Sequence, residues 1–212
     1  MLTVRNFVFN PLQENTYLLY NEEKLGCVID PGCYFEQEQS KLQDAMEGLG
    51  LQPNFLLNTH CHLDHVFGNK WFYKTYGTPL RIHEREEPVL KVAPEYGQLW
   101  GMPFENYEGP LLFLKEGDII QIGSDKLRVL YTPGHAPGHI CFYCQKQHFV
   151  ISGDTLFRGS IGRTDLPLGD YDTLIHSIRT QLLTLPDDTV VYPGHGVATT
   201  VGEEKGANPF LS

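Results

Sequence analysis

Three of the nine histidines in this chain lie within six consecutive positions, beside a carboxylate. The stretch reads Thr59-His60-Cys61-His62-Leu63-Asp64-His65. Imidazole nitrogens and carboxylate oxygens are ligands that divalent zinc, iron and manganese accept. His60 and His62 can point to the same side of an extended chain, whereas Asp64 and His65 can face a second point. Because one ion rarely takes four ligands from so short a loop, the spacing indicates two ions side by side.

Apolar runs that end at a potential ligand form a second pattern. Residues 55–57 lead to His60, 129–131 to His135, 149–151 to Asp154 and 190–192 to His195. In a layered fold, strand ends meet at one edge of a sheet, where loops build sites on a rigid frame. Glycine precedes three of these ligands, which predicts a sharp backbone turn into the site.

The candidate ligands divide into two sets and one bridging carboxylate. The set for a first ion is His60, His62 and His135. The set for a second ion is Asp64, His65 and His195, and the bridging carboxylate is Asp154. Each ion would keep one coordination position for water, as catalytic metal sites do. We expect zinc, with iron or manganese as alternatives, because such ligand sets accept all three metals.

Hydrophobic patterning predicts an α/β chain that alternates strands and helices. The predicted strands cover residues 2–9, 15–20, 25–29, 55–58, 80–82, 118–122, 126–131, 139–144, 148–152 and 189–192. The predicted helices cover residues 36–49, 66–76 and 171–185, with a short one within 197–212. Residues 83–116 are rich in Pro, Gly and Glu. They predict an irregular surface excursion, with a helix near 84–92, that walls a substrate cleft.

Composition bounds the class of protein. A chain of 212 residues with 41% hydrophobic residues fits one domain over residues 1–212. The net charge of −10 argues against a nucleic-acid partner, because phosphate binding needs clustered cations. A signal-peptide pattern and an apolar run of membrane length are both missing, so we expect no membrane partner and a cytoplasmic location. The five cysteines, an odd number, favour reduced thiols.

The motifs resemble those of the metallo-beta-lactamase superfamily. THCHLDH fits its T-H-x-H-x-D-H signature, and TPGHAPGH, SGDTLF and YPGHG follow in the family's order over about residues 14–200. Within the superfamily, the chain is most similar to glyoxalase II, particularly to the short bacterial glyoxalase II-like proteins. The resemblance implies an αββα sandwich, with two mixed β-sheets face to face, helices outside and metals at one edge.

The resemblance also implies a reaction and roles for further residues. The reaction is hydrolysis of a thioester of S-lactoylglutathione type by a hydroxide that bridges two metal ions, with Asp64 and Asp154 as catalytic carboxylates. Arg163 stands where the family has a basic residue that meets a glutathione carboxylate, but the aromatic position two residues later is Asp165. We expect Asp30 and His139 to support the ligands from outside, with a turn-capping role as the alternative for Asp30.

The same motifs leave other functions open. Full-length glyoxalase II has a C-terminal helical region that helps to bind glutathione, and most of it is missing from this sequence. Related persulfide dioxygenases use one iron, held by the equivalents of His60, His135 and Asp154. A non-catalytic metal-binding protein is a third interpretation, whereas a secreted β-lactamase and a nuclease are disfavoured. The thioester substrate, the metals and the oligomeric state are not defined by the sequence.

Overall fold

The computed structural model describes residues 1–211, and its first sheet comes from the N-terminal half of the chain. The strands of this sheet are β1 (Thr3–Phe9), β2 (Glu14–Tyr20), β3 (Leu25–Ile29), β4 (Gln52–Leu57), β5 (Leu80–His83) and β6 (Leu111–Leu114). They lie in sequence order. The pairs from β1 to β3 are antiparallel, and those from β3 to β6 are parallel. The sheet is therefore mixed, and its parallel part carries the histidine-rich loop.

The second sheet comes from the C-terminal half and is also mixed. The remaining strands are β7 (Ile119–Ile122), β8 (Asp125–Tyr131), β9 (Ile140–Cys144), β10 (Phe149–Gly153), β11 (Leu156–Phe157), β12 (Ser160–Ile161), β13 (Val190–Pro193) and β14 (Thr199–Thr200). The order across this sheet is β14-β13-β10-β9-β8-β7, and β11 and β12 form a separate hairpin. Within the sheet, β10 and β13 are the parallel pair.

Helices lie on the outer faces of both sheets. They are α1 (Glu36–Gly48), α2 (Leu63–Val66), α3 (Asn69–Tyr76), α4 (Glu87–Leu99), α5 (Tyr171–Ser177) and α6 (Val201–Ala207). The last turns of the predicted helix over 171–185 form a wider π-helical segment, Ile178–Leu182. No helix within residues 1–211 is long and apolar enough to cross a membrane.

Alternating side chains on the strands divide the core into layers. Leu18 and Leu56 belong to the cluster that packs against α1, α3 and α4. Their neighbours Leu19 and Leu57 belong to the cluster between the sheets, together with Phe142. A third cluster covers the far face of the second sheet, under α5. Because successive strand residues point to opposite faces, each sheet has two buried faces, and the predicted αββα sandwich is confirmed.

The expectation of an irregular excursion over residues 83–116 is wrong in part: the helix predicted near 84–92 is present, but it is longer, and a strand follows. The segment contains the 13-residue helix α4 and the edge strand β6. Pro94 and Gly97 lie inside α4 and discourage a helix in local terms. They are tolerated because Val89, Leu90 and Ala93 pack into the core beneath the helix. Tertiary packing therefore extends the helix beyond the predicted end at residue 92.

The layer between the sheets gives a stability test. Phe142 is fully buried there, whereas Phe113 on the edge strand β6 is 50% exposed. We expect Phe142→Ala to lower the free energy of unfolding by about 3–5 kcal/mol, because it leaves a cavity between the sheets. Phe113→Ala should change it by no more than about 0.5 kcal/mol. Urea titrations with a chelator in excess measure both values without a contribution from bound metal. Equal losses would contradict the assigned layers.

Candidate metal centre

Loops at one edge of the sandwich bring the predicted ligands together from both sheets. His60 and His62 follow β4, and Asp64 and His65 lie on the one-turn helix α2. The remaining three follow strands of the second sheet: His135 after β8, Asp154 after β10 and His195 after β13. The carbonyl of Thr59 accepts a hydrogen bond from the Ile140 amide (2.9 Å), which ties the two sheets beside the site.

The first predicted ligand set forms a close triangle of imidazole nitrogens. His135 Nε2 lies 2.9 Å from His62 Nδ1 and 3.2 Å from His60 Nε2. Ligands at about 2.0–2.1 Å from a tetrahedral zinc ion lie roughly 3.3 Å from one another. The three side chains are thus arranged at the separations that one such ion requires.

In His60 and His135, a hydrogen bond at Nδ1 shows which ring nitrogen carries the proton. His135 Nδ1 lies 2.7 Å from the carbonyl oxygen of Arg163, so Nδ1 donates to it. His60 Nδ1 lies 3.0 Å from Thr59 Oγ1, whose own hydroxyl donates to Asp30 Oδ2 (2.6 Å). Both Nε2 atoms consequently present lone pairs to each other across 3.2 Å. Two facing lone pairs cannot form a hydrogen bond, and a cation between them satisfies both. The residues fit a divalent metal ion.

The second set, Asp64, His65 and His195, offers ligand atoms that all lie within 4.8 Å of one another. Asp64 Oδ2 lies 3.1 Å from His195 Nε2 and 3.7 Å from His65 Nε2. Both ring nitrogens of His65 are buried and have no hydrogen-bond partner. Nδ1 lies 3.1 Å from Asp30 Oδ2. Unpaired buried ring nitrogens beside carboxylates again fit a site for positive charge.

Asp154 lies between the two sets. Its Oδ1 is buried without a hydrogen-bond partner and lies 3.5 Å from His65 Nε2. Its Oδ2 lies 3.6 Å from both His135 Nε2 and His195 Nε2. The carboxylate therefore contacts members of both sets, as the sequence-based hypothesis of a bridging residue requires.

The two sets differ in their electrostatics. Burial lowers the pKa of His60 well below its usual value, lowers that of His62 to about 3 and also lowers that of His135. These three rings are neutral near pH 7, the form that binds metal. Burial acts in the same direction on His65 and His195, but the carboxylates of Asp64 and Asp154 outweigh it and raise both pKa values. The second set thus stabilises positive charge.

Asp30 and His139 touch the ligands from outside. Asp30 Oδ1 accepts hydrogen bonds from the Thr59 amide (2.7 Å) and from Asn58 Nδ2 (3.1 Å). Although Asp30, His60 and His65 also lie close enough for a metal ion, these contacts occupy the Asp30 carboxylate. His139 Nε2 accepts a hydrogen bond from the Asp154 amide (3.1 Å). Its lone pair is therefore not free for a metal ion, and the ring fixes the backbone beneath Asp154.

Two of the glycines that the site requires are required for different reasons. Gly153, just before Asp154, has φ of +48°, and a Cβ there would lie 2.3 Å from Thr59 Oγ1. Gly194, just before His195, is required by close approach, since a Cβ would lie 2.1 Å from Asp154 Oδ1. The sequence-based explanation of a sharp turn therefore applies to Gly153, whereas packing explains Gly194.

Two buried glutamates beside the site were missed by the sequence analysis. Glu86 Oε2 accepts a hydrogen bond from the Cys61 amide and Oε1 accepts one from the Gly138 amide, both 2.7 Å long. Burial raises the pKa of Glu86 to about 7, although these two donors act to lower it. Glu14 is fully buried, and its Oε1 lies 4.0 Å from His65 Nδ1. Neither glutamate lies near a ligand in sequence, so no local pattern marked them.

A cleft of about 580 Å³ opens above the ligands, and Arg163 lies on its wall. The Arg163 guanidinium is half exposed and forms two 2.7 Å hydrogen bonds with Asp165, from Nε to Oδ1 and from an Nη atom to Oδ2. One wall is α4, which contributes Pro88, Val92 and Tyr96. Residues 83–116 thus line the cleft, as the sequence analysis expected.

This fold and this clustering of histidine and aspartate define a class of protein. A family model of the metallo-beta-lactamase superfamily matches residues 9–195, and the chain belongs to this superfamily. It is therefore a member of a group of metal-dependent hydrolases that bind divalent ions through such clusters.

Particular relatives are similar over nearly their whole length. Hydroxyacylglutathione hydrolase GloC of Haemophilus influenzae is 40% identical over 202 residues, which cover 94% of this chain and 93% of the relative. The B3 metallo-beta-lactamase BLEG-1 has a TM-score of 0.90 and 35% identity, covering 99% of this chain and 100% of its own. TTHA1623 in a di-iron-bound form has a TM-score of 0.88 and 40% identity, covering 98% and 100%. Because one of these similar structures holds two iron ions, the similarity does not identify zinc as the metal of this protein.

The Glu86 contacts give a test of how the ligand loops are held together. In Glu86→Gln, the side-chain NH2 would face one of the two amide donors, from Cys61 and Gly138. We expect the free energy of unfolding to fall by about 1–3 kcal/mol, since a buried donor loses its acceptor. Glu84→Gln, at an exposed position on the same turn, is the matched control and should stay within about 0.5 kcal/mol of the wild type. Chemical denaturation compares the metal-free wild type and the two variants. Equal stabilities would show that Glu86 does not hold the two ligand loops together.

Proposed function

We propose that this protein is a binuclear metal-dependent hydrolase of thioesters, of the glyoxalase II type. The observation that carries the proposal is the convergence of seven metal-type side chains at the floor of one cleft. The residues that would hold the ions are His60, His62 and His135 for the first, Asp64, His65 and His195 for the second, and Asp154 for both. When bound, two such ions supply a water of near-neutral pKa and polarise a carbonyl group.

The choice of a thioester rests on chemistry and on similarity. A free thiol has a pKa near 8.5, so a thiolate leaves readily and needs no strong general acid. Among the described residues, every acidic or histidine side chain that lines the cleft is a candidate metal ligand, so none is left over as a general acid, which suits such a leaving group. The similarity to hydroxyacylglutathione hydrolase GloC supports the same substrate class, and S-lactoylglutathione is the first compound to test.

The remaining steps fall to residues of the chain. Asp64 contacts His65 and His195 through Oδ2, and we expect its Oδ1 to accept a hydrogen bond from the attacking water and orient it. The Arg163 carbonyl and the Thr59 hydroxyl keep His135 and His60 in the tautomers that offer Nε2. The apolar side chains of α4 reduce the access of bulk water, which strengthens electrostatic interactions at the floor.

The setting that we propose is the cytoplasm, with a small molecule as the partner. All five cysteines are unpaired and buried, which fits a reducing compartment. The acidic balance of the chain disfavours nucleic acid as a partner. We propose zinc as the physiological metal, with iron or manganese as alternatives that metal analysis of the purified protein resolves.

Removal of the bridging carboxylate tests the binuclear site. We expect Asp154→Ala to lose bound metal and thioesterase activity together. The activity should fall by more than the roughly 10- to 100-fold that loss of an outer partner costs. Asp188→Ala, which removes a carboxylate exposed on the surface beside His148, should keep both. Elemental analysis after equilibration with zinc, and thiol release from S-lactoylglutathione, are the two measurements. Full metal content in Asp154→Ala would contradict the bridging role.

A parallel assay separates the proposal from the reactions of other superfamily members. The purified protein should contain two ions per chain and release thiol from a thioester without consuming oxygen. One iron per chain with oxygen uptake on glutathione persulfide would instead identify a dioxygenase. Hydrolysis of a chromogenic cephalosporin without thioesterase activity would identify a β-lactamase.

A further inference from the structure

The β11–β12 hairpin forms part of the wall of the cleft. Its strands are Leu156–Phe157 and Ser160–Ile161, and the side chains at 157, 160 and 161 line the cleft. The Phe157 ring also makes an edge contact with the His195 ring, with the two centroids 6.4 Å apart. A substrate that fills the cleft above the candidate ligands would therefore contact this hairpin.

The hairpin connects two residues of the candidate metal centre along the chain. It follows Asp154 and precedes Arg163, whose carbonyl accepts the hydrogen bond from His135. At its base, the Gly162 amide donates to the Thr155 carbonyl (3.2 Å). The base beside the ligands is thus closed by the hairpin's own backbone, and a change at the tip leaves that closure intact.

The tip of the hairpin needs support from elsewhere in the fold. The hairpin belongs to neither large sheet, and an isolated two-stranded hairpin is at best marginally stable in water. Leu156 and Ile161, on its inner side, pack into the cluster beneath α5. Residues 158–159 at the tip are exposed, so this packing does not reach them.

A buried carboxylate on α6 supplies that support. Glu204 is 3% exposed, and its Oε2 accepts hydrogen bonds from the Gly159 amide at the tip (2.9 Å) and from Asn208 Nδ2 (2.7 Å). Its Oε1 lies 2.6 Å from the hydroxyl of Thr199, which is on β14. The carboxylate therefore joins the tip of the hairpin to the edge of the second sheet.

Asn208 adds a second link to the hairpin. Its Oδ1 accepts a hydrogen bond from the Phe210 amide (3.0 Å), so the side-chain NH2 faces the other way. That NH2 donates to the Ser160 carbonyl (3.0 Å) and to Glu204. Because both of its protons are used and the side chain is buried, Asn208 fixes the second strand of the hairpin and the carboxylate that holds the tip.

The helix that carries Glu204 is anchored without this side chain. Val201 is fully buried in the cluster beneath α5. Its amide donates to the Thr189 carbonyl (3.0 Å), and the Gly202 amide donates to the Asp187 carbonyl (2.9 Å). Loss of the Glu204 carboxylate should therefore release the tip of the hairpin while α6 stays in place.

We propose that Glu204 and Asn208 are positioning residues for substrate binding, which act through Phe157 and Ser160 on the wall of the cleft. This inference rests on the proposed thioesterase function and adds to it the groups that hold one substrate-binding wall. Among the described residues, neither Glu204 nor Asn208 lines the cleft, so both act at a distance. A wall contacts the bound substrate and the transition state alike, and its loss raises KM more than it lowers kcat.

Kinetics of the metal-loaded full chain test the role in binding. With S-lactoylglutathione as substrate and thiol release as the readout, Glu204→Ala should raise KM by about three- to tenfold, the effect of one lost hydrogen bond. Its kcat and its metal content should stay close to those of the wild type. Asn208→Ala should change KM in the same direction. Glu203→Ala removes an exposed carboxylate from the neighbouring position of α6 and should keep the wild-type KM.

A conservative variant tests whether Glu204 acts through these hydrogen bonds. In Glu204→Gln, the amide oxygen takes the place of Oε2 and accepts from Gly159 and Asn208. The NH2 group then faces the Thr199 hydroxyl, which donates to Glu203 instead, across 2.9 Å. We expect a KM near that of the wild type, because every donor keeps an acceptor. A KM as high as that of Glu204→Ala would contradict the role of Oε2 as the acceptor.

Hydrogen exchange tests the support of the hairpin without any substrate. In Glu204→Ala, the amides of residues 156–161 should exchange about three- to tenfold faster than in the wild type, because the tip opens more often. The amides of α6 should keep their exchange rates, which shows that the variant is folded. Unchanged exchange in the hairpin would overturn the proposal, whatever reaction the protein catalyses.

The other contrary results are distinguishable from one another. Faster exchange with an unchanged KM would show that the hairpin does not bind the substrate, and would overturn the role of Glu204 in binding. Loss of metal and a lower kcat at an unchanged KM would assign Glu204 to the support of the ligands instead. No turnover of S-lactoylglutathione by the wild type would overturn the proposed function itself, and the substrate-binding role of the hairpin with it.

Discussion

The constraint on which the structure depends is a pair of histidine nitrogens that face each other without a proton between them. His60 and His135 each use Nδ1 as a donor, so their Nε2 lone pairs meet at 3.2 Å. Such an arrangement is favourable only with a positive charge between the nitrogens. The protein holds it in place because the two acceptors that fix the tautomers are themselves anchored. Thr59 Oγ1, which accepts from His60, donates its own proton to Asp30, and the oxygen that accepts from His135 belongs to the backbone of Arg163.

Much of the surrounding structure keeps these two rings together although they belong to different sheets. The hydrogen bond from Ile140 to Thr59 joins the sheets at the edge that carries the site. Glu86 joins the same two loops from the side, and no other carboxylate within residues 1–211 accepts from both of them. Burial raises the pKa of Glu86, because the charged carboxylate is less favourable away from water. The rest of the fold offsets this cost and holds in place an acid that touches no ligand side chain. Rigidity at the ligands therefore comes from residues outside the ligand set.

The floor of the cleft bears on the type of reaction, whereas its walls bear on the choice of substrate. The floor carries the candidate metal ligands, and membership of the superfamily supports metal-dependent hydrolysis as the chemistry there. The walls come from α4 and from the loop that carries Arg163 and Leu168, and they surround the space that a substrate would occupy above the floor. Because the walls would contact parts of a substrate that the floor does not, similarity in the ligands alone does not identify the compound that is hydrolysed.

The sequence by itself determined ten of the strands, the fold class and the cluster of candidate ligands, whereas β6, β11, β12 and β14 were not predicted. The predicted features rest on local signals: period-two hydrophobicity, glycine at strand ends and histidines two or three residues apart. The tertiary structure decided the rest, namely the tautomers of His60 and His135, the buried acid Glu86, the full length of α4 and the pairing of Arg163 with Asp165. Each of these depends on groups brought together across the fold or on burial, and neither separation in space nor exposure to water is encoded in the spacing of residues along the chain.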